Sequence, residues 1–142
     1  MSNPHSIPER LQGATGLKAV LAAAYDAFEF LLAVIRAHQD LDEDLFTAFV
    51  MSGACAADGR DALTAAPSLP WPPPVEQAGA VNDFRSGSAG EIAADLAALS
   101  QQLATRLRDA ATTAPDSRDR AECAEAAQCA IGIRDLLAGR MP

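Results

Sequence analysis

Histidine and cysteine are scarce in this 142-residue chain, at two and three copies. So few imidazoles and thiols exclude a disulfide scaffold and leave little material for a Cys/His zinc site. No HExxH, Glu-x-x-His, GxSxG, CxxC or glycine-rich phosphate loop occurs in the sequence. That removes the common hydrolase, di-iron and nucleotide-binding signatures. Aromatic residues make up 5% of the chain, and Val and Ile occur five times each. The β-branched and aromatic side chains that pack well in sheets are therefore few, which argues against a β-sandwich. Positive charge is also short: 11 Lys and Arg stand against 19 Asp and Glu, for a net charge of −8. An acidic surface repels phosphate backbones and anionic lipid, so neither nucleic acid nor a membrane surface is an expected partner. Nor is there a long apolar run. The most hydrophobic stretch, residues 19–35, is broken by Asp26 and Glu29 and is short for a membrane span. The opening MSNPHSIPER lacks the basic-then-apolar order of a secretory signal. Together with thiols in no disulfide pattern, this predicts a cytoplasmic protein.

What the chain has in abundance is alanine, 32 residues of it, within a 49% hydrophobic composition. Alanine and leucine are strong helix formers, so the composition predicts an all-α protein with one modest core. Residues 1–14 hold Pro4, Pro8 and Gly13 and read as a flexible N-terminal segment. The remainder, 15–142, reads as a single helical-bundle domain. Its first helix is expected from Thr15 or Gly16 to about His38, on the repeat Leu17, Leu21, Ala24, Phe28, Leu31, Leu32 and Ile35. Phe30 and Val34 fall outside that stripe. A second helix is expected to start at Asp40, with Glu43 three residues on as an acidic capping box. Its stripe is Leu41, Leu45, Ala48, Phe49, Ser52, Cys55 and Ala56, with Phe46 and Val50 left over. Gly59 is expected to end or loosen it.

Five of the nine prolines fall in 67–74, so residues 64–87 are expected to form a long Pro-rich crossover. Ser88 and Glu91 then form a capping box for a helix with the seam Ile92, Leu96, Leu99, Leu103, Leu107 and Ala110. Asp116 or Ser117 caps a last helix that stops at Gly139, with Cys123, Ala126, Ala130, Ile133 and Leu137 facing inward. The expected fold is a four-helix bundle of two antiparallel helical hairpins joined by that crossover.

Sites of chemistry are few. Asp40, Glu43, Glu122 and Glu125 are the candidate metal-ligating carboxylates, because hard cations are held by several acidic oxygens. These acids resemble, in residue type, the carboxylate sets that all-α nucleotide pyrophosphatases present to Mg²⁺. The paired-Glu patterns of that family and a basic cluster for a triphosphate are missing. Helix capping is the better account of these acids. Tyr25 and Glu29 match a Tyr-x-x-x-acid spacing of helical secretion signals, without the companion Trp-x-Gly turn. No family resemblance covers the chain, and no catalytic residue or cofactor is expected.

The remaining feature is surplus apolar surface. Phe30, Val34, Phe46 and Val50, with Trp71 from the crossover, exceed what one bundle needs to fill its core. Either the crossover packs on them or they meet another protein. The expected function is a non-catalytic interaction or regulatory module, self-associating as a homodimer or binding another protein through the outer faces of its first two helices. The alternative is a small-ligand binder or a metal-dependent, pyrophosphatase-like hydrolase using the helix carboxylates.

Overall fold

The computed structural model describes residues 7–70 and 88–139, and every regular element among them is helical. The elements are α1 (Ile7–Gly13), α2 (Leu17–His38), a 3₁₀ turn (Glu43–Leu45), α3 (Phe46–Thr64), α4 (Ala89–Thr113) and α5 (Ser117–Leu137). The all-α reading is met. Among the described residues, no helix is long and apolar enough to cross a membrane.

The lead-in is a correction. Residues 7–13 form a helix rather than a flexible segment, and Ile7 and Leu11, one turn apart, are buried in the core. Pro8 stands in the first turn, where a missing N–H breaks no helical hydrogen bond. Polar contacts fix the helix in place. The Arg10 guanidinium pairs with the buried carboxylate of Asp26 on α2. Gln102 of α4 donates from Nε2 to the Pro8 carbonyl at 2.8 Å. α1 therefore lies against both α2 and α4.

This position also answers the question of the second apolar stripe on α2. Phe30 is 2% exposed and Val34 0%, although the sequence left both on an outer face. Phe30 lines a recess shared with Pro8 of α1 and Leu99 of α4. With α1 and α4 in place, Phe30 is core rather than surplus surface.

α2 and α3 run antiparallel: Gly53 faces Leu32 and Ile35, Gly59 faces Phe28, and Arg60 Nη1 lies 3.1 Å from Glu29 Oε1. Two local expectations fail here. Asp42, not Asp40, is the cap: its side chain accepts from the Asp44 N–H at 2.8 Å and starts the 3₁₀ turn. Gly59 does not loosen α3, which continues to Thr64. It is buried because the Phe28 ring lies where its side chain would be. A glycine that looks like a breaker is here the flat spot that lets an aromatic ring seat between two helices.

The second half follows its sequence closely. Ser88 Oγ accepts from the Glu91 N–H at 3.1 Å, and the whole seam from Ile92 to Ala110 is buried. Asp116 accepts from the N–H groups of Arg118 and Asp119, and Gly139 takes a φ of 71° past the end of α5. α5 packs antiparallel to α3, with Cys55 against Gly132 in mid-helix and Met51 near Leu136. At the other end, Asp119 accepts from the N–H of Ser68 at 3.0 Å and its hydroxyl at 2.6 Å. That pair anchors the turn after α3 to the start of α5. Residues 71–87 of the expected crossover lie outside the described residues.

Candidate functional site

Helical periodicity decides which α3 side chains meet solvent. Phe49, Ser52, Ala56, Gly59 and Leu63, spaced three and four apart, are buried against α2 and α5. The opposite face of the first two turns therefore points outward. It carries Phe46 (43% exposed), Val50 (42%) and Met51 (50%), and the link before it adds Leu41 (59%). Phe46 and Val50 are one turn apart and touch the same stretch of solvent. These four are the large apolar side chains left exposed among the described residues.

The structure thus divides the residues singled out in the sequence. Phe30 and Val34 belong to the core, so they are not part of any outer surface of the folded chain. Phe46 and Val50 are exposed. Trp71 lies outside the described residues. Leu41 and Met51 were missed. Leu41 had been placed on the inner stripe of α3, but the helix begins at Phe46 and leaves Leu41 in the link. Met51 follows Val50, and the burial of Ser52 rather than Met51 turns it outward.

Acid rims this surface. Asp40, Glu43 and Asp44 are exposed around the start of α3, and Asp42 is partly buried as the cap. The candidate metal set does not assemble. Asp40 and Glu43 stand at the α2–α3 link, on the end of the bundle where Leu45 and Met51 meet Leu136. Glu122 and Glu125 lie in the first turns of α5, about 16 Å or more of helix away from Leu136. Among the described residues, no three His, Cys, Asp or Glu side chains converge as metal ligands would.

The three thiols are not activated either. Burial pushes the Cys123 thiol up to about 11, with Asp119 and Glu122 adding to the effect. Cys129 is likewise pushed up to about 11, by burial first and then by Glu125, Cys55 and Asp58. Cys55 is raised by burial and by Asp58. A thiol that keeps its proton is a poor nucleophile at neutral pH. Nδ1 of His38 donates to the Val34 carbonyl at 2.8 Å, and the ring is buried at its helix end. Glu29, the acid of the Tyr25 spacing, is engaged by Arg60 in the α2–α3 pairing.

A cleft of about 470 Å³ opens where the α1–α2 link meets the end of α4, lined by Gly16, Val20, Arg106 and Ala114 among others. Arg106 reaches across to the Ala14 carbonyl. None of the four candidate carboxylates lines it. No protein-family model, curated protein or solved structure matches this chain.

Proposed function

We propose that this protein is a non-catalytic helical interaction module that self-associates through Leu41, Phe46, Val50 and Met51. The observation that carries the reading is the exposure of these four side chains, 42–59%, on one end of one hairpin. A helix that is apolar on its outer as well as its inner face is the pattern of a helix with two partners. α2 and α5 occupy the inner face of α3. A second copy of α3, related by a two-fold axis near Val50, would cover the outer one with the same residues from both chains. The separation of Asp40 and Glu43 from Glu122 and Glu125 favours this reading over a metal-dependent hydrolase built on those four carboxylates.

Light scattering coupled to size exclusion tests it. At micromolar concentration the expected mass is about twice the 14.8 kDa of the chain. Val50→Glu, at a solvent-exposed position, is expected to leave the helical circular dichroism unchanged and shift the mass to that of a monomer. A wild-type protein that stays monomeric up to its solubility limit overturns the reading.

A further inference from the structure

Cys55 and Cys129 are far apart in sequence but share the α3–α5 interface. Cys55 Sγ lies 3.3 Å from the place a Cβ on Gly132 would take, so its sulfur rests directly on the α5 backbone. Cys129 precedes Gly132 by three residues, which is one turn back on the same helix face. Burial holds both thiols protonated, and Asp58 adds to the effect on each. The absence of a side chain at Gly132 lets the two helices approach at this level, one turn of α5 from Cys129, and a cross-link between helices needs such a close approach. Both are free thiols here and both are only partly buried. The third, Cys123, is fully buried and sits on the core-facing side of α5.

We propose that Cys55 and Cys129 form a reversible disulfide that staples α3 to α5 when the protein meets a low-molecular-weight disulfide such as oxidised glutathione. The exchange balances without any other reactant. One cysteine thiolate attacks the oxidant's S–S bond, forming a mixed disulfide and expelling one glutathione thiolate. The second cysteine thiolate attacks the protein sulfur of that mixed disulfide and expels the other glutathione. The two protein thiols are oxidised by two electrons, the oxidant is reduced to two glutathione thiols, and these take up the two protons. The staple would tie the hairpin that bears the exposed apolar surface to the second hairpin. It is independent of the self-association reading, because it joins residues of one chain.

The test is to treat the folded wild-type protein with excess oxidised glutathione at mildly alkaline pH and measure the intact mass under non-reducing conditions. The expected result is a monomer lighter by two hydrogens, with a digest that links the Cys55 and Cys129 peptides. Cys55→Ser and Cys129→Ser are each expected to abolish that loss, and Cys123→Ser to retain it. Glutathione adducts without an internal bridge, a bridge involving Cys123, covalent dimers, or an unchanged mass would each overturn the proposal.

Discussion

At the scale of single residues, burial governs how the thiols titrate. Cys123 shows this most clearly. Its thiol is fully buried beside Asp119 and Glu122, and its pKa rises from 9.0 to about 11. A group whose folded pKa is raised leaves stability intact below its unfolded pKa and removes it as pH climbs towards the folded value. Here that window is pH 9 to 11, where the unfolded chain has released the proton and the folded chain still holds it. Cys129 titrates in the same window. Urea midpoints measured across it are therefore expected to fall more steeply for the wild type than for Cys123→Ala. Equal slopes would mean that the thiol is not held in its protonated form by the fold.

At the scale of elements, the α2–α3 contact turns on two glycines of opposite character. Both lie inside α3, where alanine is ordinarily the better helix former by about 0.5–1 kcal/mol. A Cβ at Gly53 would rest 3.4 Å from Ile35 Cγ2 and 3.8 Å from Leu32 Cδ1, which is ordinary packing. Gly53→Ala is expected to stabilise the protein by about 0.5–1 kcal/mol. At Gly59 a Cβ would overlap the Phe28 ring, which is fully buried. Gly59→Ala is expected to destabilise by about 1–3 kcal/mol, the range for overpacking a core. Chemical denaturation of the two variants side by side checks both signs, and stabilisation by both would refute the Phe28 account.

The same pair shows what was legible in the sequence. α4 was readable throughout, because its seam repeats every three or four residues and Ser88 marks its start. The inner face and both ends of α5 were readable for similar reasons. Gly59 was misread because a glycine's helix propensity is local, whereas the ring that occupies its empty side is contributed by α2. α1 was missed because seven residues with a proline carry too little periodic signal. What holds it, Arg10 on Asp26 and Ile7 in the core, is tertiary. Missing α1 then made Phe30 look like surface. The exposure of Phe46 and Val50 followed from helical spacing alone, while Leu41 was misplaced when the cap was assigned to Asp40 rather than Asp42.

At the scale of the whole molecule, charge and apolar surface pull in opposite directions. The chain carries a net charge of −8, and four of its acids, Asp40, Asp42, Glu43 and Asp44, stand in and beside the link that bears Leu41. Two copies meeting through Phe46 and Val50 would bring those acids towards a second acidic surface. The apolar contact must then work against a repulsion that salt can screen, since the Debye length shrinks from about 30 Å at 0.01 M to about 8 Å at 0.15 M. Self-association is accordingly expected to tighten as sodium chloride is raised from about 0.01 M to about 0.5 M, read by sedimentation or light scattering. The sign discriminates between partners. Opposite charges across an interface bind more weakly in salt, as is usual for an acidic surface that meets a basic one. A dimer that loosened with added salt would mean that the acids meet cations of the second copy, and the two-fold arrangement of α3 about Val50 would then be the wrong geometry. Tightening with salt, abolished by Val50→Glu, is what an apolar contact inside an acidic rim requires.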